Sequence, residues 1–277
     1  MRSNVTVFLE VFNEEDRIES VCEFFQWADE LIIFDKSSSD KTAELAKKYT
    51  ETVYIIPYSD TVTVWKDLVI THQTQSEWYF FPTASSAIEP ALVRGLIKLT
   101  TDPNFDYDVI SLPLKMHVLG ISSKRSPWDG TYKNTCIRKS ALKLSTKVHH
   151  ETGSESDKIY KGLLETGSYL HHFTHRQIDI FFERHIRYTR EEARANAENK
   201  EVNLSLEFRQ IIKALLSVIF KRKVFMLGWD GVALGLAYVS YFIMRFLYSW
   251  ERIRGLGAGT YSQEIENLKK MWEIDRK

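Results

Sequence analysis

The chain has 277 residues, enough for one well-filled domain with an appendage or for two small domains. Hydrophobic residues make up 44% and charged residues 27%, a globular composition that excludes a disordered chain. Lysine plus arginine equals aspartate plus glutamate at 37 each, so there is no bulk electrostatic drive toward nucleic acid and any anion binding has to come from local clusters.

The first part of the chain alternates short apolar runs with helical patterns. Val5-Thr-Val-Phe-Leu9 reads as a strand. Glu14 to Trp27 reads as a helix, with Ile18, Val21, Cys22 and Phe25 on one face. Leu31-Ile-Ile-Phe34 is a second strand ending in Asp35, and Ser37-Ser-Ser-Asp40 offers N-cap candidates for a helix through Tyr49. Val53-Tyr-Ile-Ile56 is a third strand, Thr63 to Gln75 a helix, and Trp78-Tyr-Phe-Phe81 a fourth strand. Glu89-Pro90 opens another helix, with proline suited to its first turn. Apolar strands alternating with helices predict an α/β fold built on a mostly parallel sheet covered on both faces.

The texture changes after Asp106. Asp108 to Val118, Thr131 to Arg138 and Leu163 to Phe173 read as strands of a mixed or antiparallel sheet. Ile178 to Asn199, Leu206 to Phe220, Gly231 to Trp250 and Ser262 to Ile274 read as helices. The expected organisation is an α/β domain over 1–175 and a helical region over 176–277.

Two cysteines, Cys22 and Cys136, read as buried thiols, and no C-x-x-C pair supports a zinc ribbon. Five of the eight histidines lie between His149 and His175. The neighbours His171 and His172 point to opposite faces of a strand, so a shared zinc is not expected and structural or phosphate-binding roles are. Glu10 and Asn13 interrupt the N-terminal apolar run and no cleavage pattern follows, so a cytoplasmic setting is expected.

In an open parallel sheet, ligands bind beyond the carboxyl ends of the strands. Three polar clusters fall there: Glu10, Asn13, Glu14 and Arg17 after the first strand, Asp35 to Asp40 after the second, and Pro82-Thr-Ala-Ser-Ser86 after the fourth. Asp35 could accept hydrogen bonds from a base or ribose, or could with Asp40 cap the next helix. No G-x-G-x-x-G, no P-loop and no G-x-S-x-G occurs, which removes the main signatures of dinucleotide, P-loop and hydrolase chemistry.

Glu10-Val-Phe-Asn-Glu-Glu-Asp-Arg-Ile18 resembles the N-E-x-x-x-I opening of family 2 glycosyltransferases. Ala28-Asp-Glu-Leu-Ile-Ile-Phe-Asp-Lys-Ser-Ser-Ser-Asp-Lys-Thr42 is similar to their D-E-I-x-V-x-D-x-x-S-x-D-x-T segment. Tyr169-Leu-His-His-Phe173 with Phe182-Glu-Arg-His-Ile-Arg-Tyr-Thr189 resembles the H-Y and K-x-x-R-Y-T segment of bacterial members that build lipopolysaccharide core and surface glycans. The resemblance implies a GT-A fold and sugar transfer from a nucleotide-sugar donor to a glycan or lipid-linked acceptor. By position it implies that Glu10, Asn13 and Glu14 line the donor site, that Asp35 meets the base or ribose, and that Asp40 supports the loop.

The family's metal-binding D-x-D is replaced here by Thr83-Ala84-Ser85, and hydroxyls are weak ligands for magnesium or manganese. Charge on the departing diphosphate would then fall to cations and hydroxyls. Lys36, Lys66, Lys124, Arg125 and Arg138 are candidates, with Thr83 and Ser85. Val148-His-His-Glu151 resembles the family's V-H-E setting, which makes Glu151 the candidate base and His150 its neighbour or a donor contact; Asp129 is the reserve. Two readings stay open, metal-independent inverting transfer and a degenerate binding protein.

Gly231 to Met244 is strongly apolar but shorter than the ~20 residues of a spanning helix, and Lys221-Arg222-Lys223 with several aromatics flank it. The stretch 206–250 is expected either to lie on an anionic membrane face or to pack on the catalytic core or on a second subunit.

Overall fold

The computed structural model describes residues 2–58, 68–69, 71–143, 153–198 and 203–275. Of the predicted helix over Thr63 to Gln75, residues 63–67 and 70 lie outside them. The chain divides into two compact units, one of residues 1–122 and 128–174, the other of residues 123–127 and 175–277.

The first unit is built on one mixed sheet. Its strands are β1 (Val5–Val11), β2 (Glu30–Asp35), β3 (Val53–Ile55), β4 (Trp78–Phe80), β5 (Ser86–Ile88), β6 (Val109–Val118), β7 (Tyr132–Arg138), β8 (Ile159–Tyr160) and β9 (Leu170–Thr174). The order is β3-β2-β1-β4-β7-β6-β9-β5, with β8 also paired to β6. The first four are mutually parallel. β7 runs antiparallel to β4 and β6, and β5 antiparallel to β9. Because β1 and β2 are buried on both faces, they read as apolar runs, broken only by the buried Thr6 and by Glu10, Glu30 and Asp35 toward their ends. Val5, Val7, Leu9, Leu31 and Ile33 enter one core layer. Phe8, Ile32, Phe34 and Tyr79 form the other, where Phe8 lies edge-on to Tyr79 at 4.9 Å.

Helices α1 (Ile18–Phe25), α2 (Thr42–Ala46) and α3 (Pro90–Thr100) flank this sheet. α1 buries Ile18, Val21, Cys22 and Phe25, the face the spacing predicts, although it starts later than Glu14. Burial pushes the Cys22 thiol up to about 12, with Glu19 and Glu23 adding to the effect. Burial likewise raises Cys136, and both thiols are free.

Two sequence expectations are corrected. The segment from Leu163 is not strand throughout: Gly162–Thr166 is a 3-10 turn closed by Gly167 at φ 66°, and β9 begins only at Leu170. A left-handed residue stops the chain where apolar pattern alone would continue it. β5 was not foreseen, because three residues carry no readable period.

The second unit is helical: α4 (Ile178–Glu198), α5 (Leu204–Leu216), α6 (Gly228–Arg254) and α7 (Ser262–Asp275). Asn203 caps α5 by accepting from the Leu206 N–H. A π-helical turn, Ser217–Lys221, and a 3-10 turn, Val224–Leu227, link α5 to α6. α6 packs against α4 and α5. Its Gly231, Leu234, Gly235, Ala237 and Val239 are buried, and Ile211, Ala214, Val218 and Val224 complete the contact.

Candidate functional site

The carboxyl ends of β1, β2 and β4 converge, as parallel strands require. Glu10 bridges to Thr83 across them, and Glu10 forms an ion pair with Lys36. Lys36 follows β2 directly, and its backbone N–H donates to the Val11 carbonyl.

Asp35 ends β2 and is 1% exposed. Its Oδ1 accepts the Ser38 backbone N–H at 2.9 Å, whereas Oδ2 is buried without a partner. A carboxylate oxygen buried in this way is costly unless a donor reaches it. Ser37 sits at φ 57°, and its hydroxyl donates to the Ile56 carbonyl at 2.7 Å, turning the chain around the aspartate.

The loop after β1 is laced to the loop after β2. Asn13, at φ 51°, accepts the Ser39 N–H through Oδ1, and its own N–H donates to the Ser38 hydroxyl. The Glu14 N–H donates to Thr42 Oγ1 at 2.7 Å, and the Glu15 N–H to Asp40 Oδ2 at 3.1 Å. Asp40 Oδ1 accepts the Thr42 N–H and hydroxyl. Burial pushes Asp40 up, but these hydrogen bonds from Thr42 and Glu15 outweigh it and hold the carboxyl below its ordinary value. The Glu14 carboxylate is bound to Arg17 and is 8% exposed.

Thr83-Ala84-Ser85 carries a network of hydroxyls around one imidazole. Thr83 Oγ1 lies 3.0 Å from Ser85 Oγ, 2.9 Å from Ser86 Oγ and 3.0 Å from His172 Nδ1. Ser85 Oγ is 3.3 Å from the same nitrogen. Pairing of β5 with β9 sets Ser86 opposite His172 and so brings the imidazole to the slot. Three hydroxyls and one imidazole contain no anionic oxygen, and they do not fit the donor set a hard divalent cation requires.

His171 faces the other way, as alternation along a strand demands. Its Nε2 is 2.7 Å from Glu89, and its Nδ1 is 2.8 Å from His117 Nε2. The hydrogen bond from His171 holds Glu89 below its ordinary value, and burial lowers His117. The two adjacent histidines therefore serve separate networks.

The sequence-derived candidates divide into four groups. Glu10, Asn13, Asp35, Asp40, Thr83 and Ser85 gather around the strand ends. Glu14 lies there too, with its carboxylate turned into the Arg17 pair. Arg138 is placed elsewhere: it stands opposite Trp78, at the amino end of β4, and donates to the Phe105 and Tyr107 carbonyls. Its guanidinium also covers the Trp78 ring at 4.6 Å, so it braces the far edge of the sheet and does not face the strand-end cluster. Lys66, His150 and Glu151 lie outside the described residues. Asp129 is half-buried in the loop before β7.

Two aromatic residues at the site were not anticipated. Phe12 and Tyr58 are 39% and 50% exposed and pack against each other at 4.6 Å. Lys36 lies 6.0 Å from the Tyr58 ring. Exposed aromatics directly after β1 and after β3 are the signal that could have found them.

No family model matches the chain, and no curated protein matches it. Among solved structures, it is similar to a glucosyl-3-phosphoglycerate synthase from Mycobacterium tuberculosis in complex with Mg2+ and uridine diphosphate. That match has 22% identity over 40% of this chain and 43% of the other, with a TM-score of 0.30. A structure described as a mycobacterial protein matches at 20% identity over 42% and 43%, TM-score 0.32. The same synthase with Mn2+, UDP-glucose and phosphoglyceric acid matches at 22% identity over 41% and 43%, TM-score 0.31. The chain spans less than half the length of each of these structures.

Proposed function

We propose that the chain is a GT-A-type glycosyltransferase that moves a sugar from a nucleotide-sugar donor to a glycan or lipid-linked acceptor, with inversion and without a divalent cation. The observation that carries the reading is the buried Asp35 carboxylate, whose second oxygen is unpartnered at the end of the sheet where the exposed Phe12–Tyr58 pair follows β1 and β3. Donors on a base or ribose satisfy that oxygen, and a base stacks on Phe12 or Tyr58.

Transfer is a single displacement at the anomeric carbon. The acceptor oxygen forms the new bond while its proton passes to a carboxylate, assigned to Glu151 with Asp129 in reserve. The bond to the diphosphate breaks, and the electron pair leaves with the nucleotide. The negative charge is met by hydrogen bonds from Thr83, Ser85 and His172.

The deciding experiment is transfer by the purified chain across UDP-, GDP- and dTDP-sugars, with EDTA and with manganese. Turnover that survives EDTA and is abolished by Glu151→Gln supports the reading. Turnover lost in EDTA and restored by manganese overturns its metal independence. A second reading has its own observation: the Glu10 and Glu14 carboxylates are already neutralised by Lys36 and Arg17. A protein that binds nucleotide without transfer would show saturable donor binding and no product.

A further inference from the structure

The second unit carries a basic cavity of about 630 Å³ lined by Ser123, Lys124, Arg125, Lys221 and Arg222. Two distant stretches of chain build it. The 123–126 turn is held by the Ser126 N–H to the Ser123 carbonyl and by the Arg125 N–H to Ser123 Oγ, at 2.9 and 3.1 Å. Arg222 Nη1 reaches the Lys124 carbonyl at 3.5 Å and ties in the π-helical turn. No carboxylate lines the cavity, and Lys124, Arg125 and Lys221 have no ion-pair partner among the described residues.

The helices that meet beside it expose apolar side chains in rows. On α6, Trp229, Leu236, Ile243 and Trp250 recur every seventh residue at 86%, 67%, 41% and 41% exposure, with Val232 and Leu247 between them. On α5 and its π turn, Phe208, Ile212, Leu215, Leu216, Ile219 and Phe220 are all exposed. Their spacing turns Ile212, Leu216, Ile219 and Phe220 away from the buried Ile211, Ala214 and Val218, with Phe208 and Leu215 flanking that buried stripe. The Val224–Arg254 stretch has a mean hydropathy of 1.4 over its most apolar window, yet only 28% of that window is buried. Packing within the unit therefore does not account for its apolarity.

We propose that this face seats the second unit on an anionic lipid bilayer, with headgroup phosphates held in the Lys124–Arg125–Lys221–Arg222 cavity and the α5 and α6 rows embedded in the interface. Charge complementarity selects the occupant. A row of apolar side chains adjoining a cation cluster in which Lys124, Arg125 and Lys221 are without ion-pair partners among the described residues fits a surface that presents acyl chains and phosphates together. The seating is interfacial, because Arg245 at mid-helix is ion-paired to Glu207 at 2.6 Å and so keeps that side of α6 against its neighbour.

The test is flotation of the full chain with phosphatidylcholine vesicles containing phosphatidylglycerol, against phosphatidylcholine alone. Binding should need the anionic lipid. Each surface cation removed costs roughly five-fold in partition, so the quadruple Lys124→Ala, Arg125→Ala, Lys221→Ala, Arg222→Ala variant should bind roughly 600-fold more weakly. Trp229→Ala with Leu236→Ala should also weaken binding, with unchanged helicity by circular dichroism. Replacing Lys124 and Lys221 by arginine should preserve it. Equal flotation on neutral vesicles, wild-type flotation of the quadruple variant, resistance to alkaline carbonate extraction, or a stable dimer that covers these rows and does not float would each overturn the proposal. None of these readouts requires transferase activity, so the proposal stands or falls apart from the reading of the strand-end site.

Discussion

The Ser38 backbone N–H donates to Oδ1 of Asp35 at 2.9 Å, while Oδ2 of the same buried carboxylate stays without a partner. One oxygen serves the fold and the other awaits a donor. Asp35→Asn keeps the first role, because its amide oxygen still accepts from Ser38, and reverses the second by presenting N–H to a ligand's donors. Affinity for a nucleoside diphosphate should fall roughly 10- to 100-fold, the size of a lost hydrogen bond to a charged group. Thermal stability should barely move. Asp35→Ala should in addition lose about 1–3 kcal/mol by stranding the Ser38 N–H. Titration calorimetry with UDP, GDP and dTDP, beside melting curves, separates the two effects, and undiminished affinity in Asp35→Asn would remove Asp35 from the site.

Thr42 is fully buried and links the two site loops. Its hydroxyl accepts from the Glu14 N–H and donates to Asp40 at 2.5 Å. Thr42→Val keeps the shape and breaks both bonds, at an expected cost of about 1–3 kcal/mol. Acid response should change with it. Because the folded pKa of Asp40 is held below its ordinary value, its stabilisation is present above about pH 4 and is lost as pH falls through the folded value. Denaturant melts between pH 5 and pH 2 should therefore converge for wild type and Thr42→Val at the acid end. Curves that stay parallel would show that Thr42 does not set the Asp40 charge.

Much of this site was readable from the chain because parallel strands force their polar ends together. Glu10, Asn13, Asp35, Asp40, Thr83 and Ser85 fall at those ends in any register the apolar runs allow. Arg138 is placed at the other end of the sheet. β7 runs antiparallel to β4, so its last residue meets the wrong end of the sheet, and strand direction is not written in a single strand's pattern. His172 reaches Thr83 only through pairing of two short strands, β5 and β9, far apart in sequence. Helix α6 was legible in its composition, but which of its apolar faces stays uncovered is a property of its packing against α4 and α5.

His175 should make stability fall in mild acid. It sits at φ 54°, its Nδ1 is buried without a partner, and its ring lies 4.9 Å from both Phe181 and His185. Burial, and then the like charges of His185 and Arg184, bring its pKa down to about 4. The unfolded chain thus binds the proton first. The stabilisation is fully present above pH ~6.5 and is lost as pH falls from there toward 4, with no further loss below. Partial exposure limits the effect to about 1–2 kcal/mol. His175→Asn tolerates the left-handed backbone and removes the titration. It should flatten the stability curve across that window, apart from a residual slope due to His185, whose pKa burial also lowers. An unchanged slope would place the proton uptake elsewhere.

Gly231 offers a test of sign. On an exposed helix, replacing glycine by alanine stabilises by about 1 kcal/mol, because the unfolded chain loses freedom and the helix gains a good former. Gly231 is a helical residue of α6, but a Cβ there would lie 1.7 Å from the Val224 carbonyl oxygen and 2.9 Å from Leu227 Cβ. Backbone on both sides has to move, so Gly231→Ala should destabilise by about 3 kcal/mol or more. Gly235→Ala meets only the Val218 and Val224 side chains, at 2.7 and 3.1 Å, and should cost less. Urea melts of the full chain followed by far-ultraviolet circular dichroism give the order. The close approach of the Val224–Leu227 turn to α6 requires Gly231→Ala to be the worse of the two, and a raised midpoint in that variant would mean the turn does not pack there.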